Sequence, residues 1–534
     1  MEEVLQVVVV QMVVLHVVQD NFMKRIFQIF LLILVSDIAH AQVYTYPMLA
    51  KQFSTSYVTG SARMQGLGGS QSVLGADLSS IAGNAAGLGF YTRSEIGLNF
   101  AVNSSSTKAD YLSQSTSGTN SLFHMPNFGI VISGDYLSSS SWRGAFGIGY
   151  SRQVILTQPL NMEGTNNRSS YLDHLIQKAG DKGATGASLD DEFDPNYNTA
   201  DSPEAAAYQA YLINPNAKTG GAPFERYLPN LPTQQFGYAV NSGSVSQWDI
   251  SYGAAYQEQL YVGLGLHFTK LNTSQSQLWE ERFAGNNYVE GFTYEEQLIT
   301  TGSGISASLG VIYKLKPNLR VALNVQSPTY YDNVKEQLTG SMSPQISEIP
   351  VTGGYITNVK PVKLTPNEFT YQLVTPFRIS GGMAYFFGKR GLLSADVEML
   401  NYAGMSVASA ELGPYANQQF KDKYNNQISK NYQTVLNMKV GAEFRVSSAW
   451  TLRGGAAIYG SGFSSTYDSI DRNQMQVSGG LGYRSSAYYV DFAVVQRTGK
   501  DAYTPYALKN AADYASAALT LTNTQFTIGG GIFF

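Results

Sequence analysis

The chain has 534 residues and a formal net charge of −4, with 14% charged against 43% hydrophobic residues, far below the roughly 25% charge usual in soluble domains. It carries 52 glycines and 36 tyrosines at a mean hydropathy of −0.14; low charge without high hydropathy argues against a soluble enzyme and suits a membrane β-barrel, whose apolar outward and polar inward residues cancel in any average. The near-neutral charge and lack of a basic block exclude a nucleic-acid partner, and the absence of cysteine excludes a disulfide scaffold and thiolate chemistry.

Residues 1–41 read as an upstream extension followed by a signal peptide. The stretch MKRIFQIFLLILVSDIAHAQ begins at Met23, the expected true start, with Lys24 and Arg25 ahead of an apolar run from Ile26 to Val35. It closes on Ala39-His40-Ala41, so cleavage is expected before Gln42. The run is half of the roughly 20 residues a spanning helix needs. An exported protein without a helical anchor follows.

Residues 42–94 lack strand alternation. Gly66, Gly68, Gly69, Gly75, Gly83, Gly87 and Gly89 are interleaved with Leu67, Val73, Leu74, Leu78, Ile81 and Leu88, a composition too apolar for a disordered tail. Glycine permits the turns and close backbone approach of a compact hatch inside a barrel. Its core charges are Arg63 and Asp77. The run GLGGSQSVLG has no Walker lysine, so nucleotide binding is not expected.

From Glu95 to Phe534 the chain alternates apolar and polar positions in runs of about ten. In LYVGLGLHFT, Leu260, Val262, Leu264, Leu266 and Phe268 oppose Tyr261, Gly263, Gly265, His267 and Thr269. This places Leu264 toward lipid and Gly263 toward the lumen, where a serine should be mild. Short connections near 135–142, 257–260, 316–319, 388–391, 446–450 and 484–487 alternate strictly with longer ones. Short periplasmic turns and long outer loops are the pattern of outer-membrane barrels. The count predicts an all-β fold, a 14-stranded antiparallel transmembrane β-barrel over 95–534 with both ends periplasmic. Residues 290–302 are read as an outer extension of the next strand.

The connection 154–244 is far longer than an ordinary loop. It should hold two short helices: one capped by Ser170 with Asp173 three residues on, and one capped by Ser202 with Pro203 at its first position. Leu172, Leu175, Tyr208, Tyr211 and Leu212 supply their apolar faces and a candidate outer capture surface. In the later strands Asp396, Glu398, Lys439, Glu443, Arg445, Arg453 and Asp491 point inward. They offer either a polar seat for the hatch or an ordinary ion ladder on the wall. His124, His174 and His267 lie on separate elements with no ligand spacing, and no G-x-S-x-G occurs, so neither a metal site nor a hydrolase is expected. No cofactor is expected. The last strand, TNTQFTIGGGIFF, alternates up to Phe534, a terminal aromatic similar to the signal read by the barrel-assembly machinery.

The stretch GSARMQGLGGSQSVLGADLSSIAGNAAGLGFY resembles the N-terminal hatch of FadL-type outer-membrane transporters of hydrophobic compounds, most of all their Bacteroidetes branch. The likeness continues through TTGSGISASLGVIYKLKPNLRVALNVQSPTYYD, TPFRISGGMAYFFGKRGLLSADVEMLNYAGM and VSGGLGYRSSAYYVDFAVV. The family's Asn-Pro-Ala hatch motif stands here as Asn84-Ala85-Ala86, followed by Gly87, and loss of proline's fixed φ leaves the turn less rigid. The resemblance implies passive uptake of a small hydrophobic ligand or lipid, fatty-acid-like or aromatic, across the outer membrane of a Gram-negative bacterium. A scaffold or shuttle role in a protein-secretion system is the alternative.

Overall fold

The computed structural model describes residues 45–534 except 56, 58–59, 135–140, 217–220, 228–231, 285–287 and 352–353. The expected signal peptide, the start at Met23 and the cleavage site before Gln42 lie outside the described residues. So does most of the turn after residue 134.

Alternation becomes strand at once. In β1 (Glu95–Tyr111) buried and exposed positions alternate without a break over the first nine residues. Ile96, Leu98, Phe100 and Val102 are exposed while Asn99, Ala101 and Asn103 are buried; apolar residues outward and small polar ones inward are what a lipid-immersed wall requires. The remaining wall strands are β2 (Gln114–Ser133), β3 (Trp142–Leu156, resuming at Pro159–Asn166), β4 (Thr233–Tyr256), β5 (Leu260–Phe283) and β6 (Val289–Lys316). Then come β7 (Leu319–Gln326 and Tyr330–Ile346), β8 (Asn367–Val374 and Arg378–Phe386) and β9 (Gly391–Asn401 and Ser406–Ser409). The set ends with β10 (Thr434–Arg445), β11 (Trp450–Tyr459), β12 (Gln474–Arg484), β13 (Tyr488–Tyr503) and β14 (Ala517–Phe533). Each pairs antiparallel with its neighbour, and β1 closes on β14 from Glu95↔Phe533 to Asp110↔Ala518. The result is a closed 14-stranded barrel. Residues 290–302 do extend β6, as expected.

Prolines mark where the wall breaks. Without an N–H a proline cannot serve a central ladder position. Ser327-Pro328-Thr329 and Thr375-Pro376-Phe377 divide β7 and β8, and the inner and outer halves pair separately. Pro126 in β2 has the largest consequence. Pairing of β2 with β3 runs only from Ser133↔Ala145 to Asn127↔Ser151 and stops at that proline. Beyond it β3 bends inward. Thr157 Oγ1 lies 2.7 Å from Ser105 Oγ and 3.1 Å from Asn103 Nδ2, both lumen residues of β1. The outer half of β2 therefore pairs with β1 alone.

Strands β4 and β5 are 24 residues long and β6 is 28, at about 3.3 Å per residue far more than a bilayer needs. Their outer ends support a lid built from α3 (Tyr171–Asp181), α4 (Gly186–Asp191) and α5 (Pro203–Gln209), with α1 (Tyr46–Ser54) and α2 (Ala62–Gly66) preceding them inside the barrel. The helix α6 (Pro414–Asn431), absent from the sequence expectations, lies against α1. Tyr46 of α1 packs on Phe369, Tyr371, Phe420 and Tyr424 at ring distances of 4.9–5.5 Å. With Leu49, Ala50 and Phe53 it fills the apolar upper lumen.

Candidate functional site

The segment from Gly60 to Tyr91 crosses the lumen. Helix α2 packs on β11, β12 and β13, while the 3₁₀ turn Ala85–Phe90 packs on β3, β4, β5 and β6 on the far side. Side chains hold its turns. Ser61 Oγ accepts from Met64 N to cap α2, and donates to Asp77 at 2.8 Å. Asp77 also accepts from Ser79 N at 2.9 Å, so its charge is spent within the segment and not on the wall. Asn84 caps the next turn by accepting from Ala86 N at 3.1 Å and ties back by donating to Ser72 O at 2.7 Å. The capping asparagine thus fixes the turn without the proline.

The wall receives this turn in a socket of glycines that the sequence reading did not identify. A Cβ on Gly253 would lie 2.2 Å from Ala85 O, on Gly263 2.2 Å from Ala85 C, and on Gly310 1.8 Å from Asn84 Oδ1. These three glycines sit on adjacent strands β4, β5 and β6. Across the lumen a Cβ on Gly441 would meet Leu67 O at 2.6 Å, and one on Gly455 would meet Gly68 N at 2.3 Å. The expectation that serine is mild at Gly263 is therefore wrong: backbone occupies the space. Inward glycines recurring at one level of neighbouring strands were the available signal.

Polar ties complete the seat. Arg63 Nε lies 3.0 Å from Glu443 Oε2, which also takes Arg453 Nε at 2.9 Å; Arg453 continues to Asp491 at 2.5 Å. Ser72 N donates to Asp396 Oδ2 at 2.8 Å, and Ser251 Oγ donates to Ile81 O at 2.6 Å. The inward charges thus divide by role. Asp396 and Glu443 touch the segment, with Arg453 and Asp491 behind Glu443. Glu398 instead binds Lys439 at 3.4 Å and Arg378 at 3.9 Å, a ladder on the wall. Arg445, inward by periodicity, is exposed at the periplasmic rim.

Between the segment and the upper lumen lies a partly open cavity of about 100 Å³. Its lining includes Gln71, Ser72, Asn84, Asn324, Arg378, Asp396, Glu398 and Lys439. It also includes Asn127, Phe128, Tyr150, Ser151 and Gln153, which are the residues at the point where β2 and β3 part.

His267 Nδ1 lies 2.8 Å from Asp249 Oδ1 and its Nε2 2.9 Å from Ser308 Oγ, the spacings of a Ser-His-Asp triad. Histidine and aspartate are 0% and 1% exposed and the serine 3%. The surrounding backbone N–H groups serve the ladders of β4, β5 and β6. The arrangement is a hydrogen-bonded wall. His124 is buried near the β2 break, beside Gln525 of β14. His174 Nδ1 bonds to Ala507 O at 2.8 Å in the lid, where burial and then Lys178 lower its pKa to about 4.

The lid corrects the capture-surface expectation. Ser170 and Asp173 form the expected capping box on α3. However, Leu172, Leu175 and Leu212 are buried in the lid's own core, with Tyr208 packed against it. Only Tyr211 is exposed, at a positive φ of 58°. Beneath α3, Glu281 accepts from Tyr171 N at 2.8 Å, Gln235 at 2.8 Å and Trp279 at 3.1 Å, and from Ser170 Oγ. Burial raises its pKa to about 7 against those hydrogen bonds.

No family model and no curated protein matches the sequence. Solved structures do match. A Pseudomonas aeruginosa FadL homologue aligns at TM-score 0.55 and 11% identity over 90% of this chain and 99% of its own. The Pseudomonas putida toluene transporter TodX aligns at TM-score 0.50 and 12% identity over 90% of this chain and 99% of its own. A TodX deltaS2S3 mutant, a monoaromatic hydrocarbon channel, gives TM-score 0.50 at 12% identity, covering 90% of this chain and 100% of its own. The chain has the fold of these FadL-type barrels.

Proposed function

We propose that the protein passes small hydrophobic molecules, fatty-acid-like or aromatic, across the outer membrane without an energy source. In this reading residues 42–94 are a hatch that stays seated, and cargo leaves sideways through the wall. One observation carries it: the cavity above the hatch reaches the place where β2 loses β3. Below the cavity, glycine sockets and ion pairs join the hatch to both sides of the barrel. A molecule descending from the lid meets a closed floor and an interrupted wall, and only an apolar molecule gains by moving from there into lipid. The structures of the FadL homologue and of the toluene transporter support the same reading. Export behind a signal peptide cleaved before Gln42, and insertion by the barrel-assembly machinery through the exposed Phe534, complete it.

Uptake of a radiolabelled fatty acid and of toluene by cells with and without the gene tests the proposal. Faster entry of at least one compound in cells carrying the gene is expected. Equal entry of both compounds in the two strains would overturn it.

A further inference from the structure

We infer that the periplasmic mouth of the barrel, beneath the hatch, is a docking surface for an acidic segment of a soluble periplasmic protein. The inference goes beyond the transport reading and stands without it. The chain as a whole has a net charge of −4, yet its periplasmic turns collect positive charge. Lys316 lies on the β6–β7 turn, Lys389 and Arg390 on the β8–β9 turn and Arg445 at the β10–β11 turn. Arg484 stands at the β12–β13 turn and Arg93 just ahead of β1. All are exposed, and together they occupy every turn along one continuous arc of the rim.

These charges are not compensated. Among the described residues none of these cations forms an ion pair. Glu258, on the β4–β5 turn, is the exposed carboxylate side chain at this end, and Arg143 at 2.6 Å and Lys314 at 4.0 Å share it. Glu95 is buried and accepts from Tyr489 Oη at 2.7 Å; the terminal carboxylate of Phe534 is the remaining anion. The partners of the cations are rings and a carbonyl instead. Arg93 and Arg484 each lie 4.7 Å from the Phe533 ring, and Arg93 Nη1 donates to Ser486 O at 2.5 Å. Behind the rim Arg320 lies over Phe90 of the hatch at 4.4 Å and Phe386 at 4.2 Å. Ring contacts hold a guanidinium in place without cancelling its charge, so the field adds along the arc and draws polyanions.

The direction of the side chains selects the occupant. Successive residues of a strand face opposite sides. Lys316 and Arg445 follow Leu315 and Phe444, which are 51% and 57% exposed on the lipid face. Phe533, the ring under Arg93 and Arg484, stands between Ile532 and Phe534, exposed by 55% and 63%. The cations therefore face the mouth and its water, away from lipid head groups. Cargo in the cavity above does not reach them, because the hatch is seated between. Neighbouring turns stand two strands apart, about 10 Å, so the arc spans roughly 40 Å. A single small anion engages one turn, whereas a run of about ten to twelve extended residues rich in Asp and Glu engages the whole arc.

The test uses the full protein in a neutral detergent and a fluorescent decaglutamate peptide, about 33 Å long when extended, with a Gly-Ser peptide of equal length as the blank. Decaglutamate is expected to bind at about 0.15 M salt, and more weakly as salt rises. Lys389→Glu with Arg390→Glu and Arg445→Glu should weaken it at least about tenfold. Lys335→Glu with Lys360→Glu and Lys500→Glu, exposed cations of the outer end, should leave it unchanged. A benzophenone on the peptide should crosslink to the periplasmic turns of the unaltered protein, which decides the matter even if the reversed variant does not assemble. Binding no better than the Gly-Ser blank, equal weakening by both triple variants, or crosslinks spread over the outer loops would overturn the inference. Loss of co-purifying phosphatidylglycerol on charge reversal, with peptide binding unchanged, would assign the arc to lipid and overturn it too.

Discussion

Arg63 reaches from the lumen segment to Glu443 of β10 at 3.0 Å, and both side chains are largely buried, at 16% and 10% exposure. Glu443 stands between two guanidiniums, Arg63 and Arg453. Removing one member of such a pair leaves an uncompensated charge, which costs about 3–5 kcal/mol. Asp396, through Ser72 N, is the second carboxylate on the hatch. Glu443→Gln with Asp396→Ala should therefore loosen the hatch while the strand ladders, untouched, still close the barrel. Cells carrying the double variant should admit bulky antibiotics that the outer membrane normally excludes. Susceptibility equal to wild type, with normal barrel assembly, would reduce both carboxylates to wall decoration.

The glycine socket predicts a steric counterpart. At Gly263 any side chain meets the carbonyl carbon of Ala85, and backbone cannot yield as a flexible side chain would. Gly263→Val should unseat the Asn84 turn and raise antibiotic entry. Gly388, whose added Cβ meets nothing, is the control site, although its φ of +59° favours glycine and restricts the control to Gly388→Asn. Equal tightness of the Gly263 variant and wild type would remove the socket from the account.

One position outward, Leu264 is 55% exposed on the lipid face. Leu264→Arg should cost about 2–4 kcal/mol near the bilayer midplane and less toward its edges. Urea unfolding in lipid vesicles measures this directly. A shift below about 1 kcal/mol would place Leu264 at the interface.

The lid should respond to pH through two opposed groups. Glu281 rises from the usual 4.5 to about 7 on burial, so its contribution is present below 4.5 and lost as pH rises through 7. His174 falls from 6.5 to about 4, by burial first and Lys178 second. Its contribution is present above 6.5 and lost as pH falls through 4. Each is worth roughly 3 kcal/mol at most, and over the shared window they offset. Glu281→Gln should therefore expose the histidine and make the lid open on acidification from 6.5 toward 4. Hydrogen exchange over residues 171–181 reads this. Acid-independent exchange in the Glu281 variant would contradict the assignment.

Much of this architecture was legible in sequence because a barrel wall is a local pattern. The alternation around Leu264 and Gly263 gave facing, and strict alternation of short and long connections gave strand number. Ser170 and Asp173 announced α3 through neighbours in the chain. What stayed hidden depends on contacts between distant residues. Gly263 looks like any small inward residue until Ala85, far away in sequence, is seen against it. Leu172 and Leu175 read as an exposed apolar face because the buried cluster they join, with Phe292 and Tyr506 among its members, draws on other strands and loops. Helix α6 escaped notice because it is polar nearly throughout and buries only Phe420 and Ile428. The inward bend of β3 did leave a local trace, Pro126, at the edge it frees.

The central claim is that cargo leaves through the wall while the hatch remains seated, and a covalent lock tests it most directly. A Cβ on Gly147 of β3 would lie 2.9 Å from Ile81 Cγ1 of the hatch, the atom whose place a cysteine sulfur would take, so the two positions suit a disulfide. The chain has no cysteine of its own, so Ile81→Cys with Gly147→Cys ties the hatch to β3 through a single bridge. The measurement is the uptake rate of a labelled hydrophobic probe by cells carrying this variant, oxidised and then reduced. Gene-dependent uptake at the same rate in both states is the predicted result. Uptake that appears only after reduction would contradict the account, as would no gene-dependent uptake in either state.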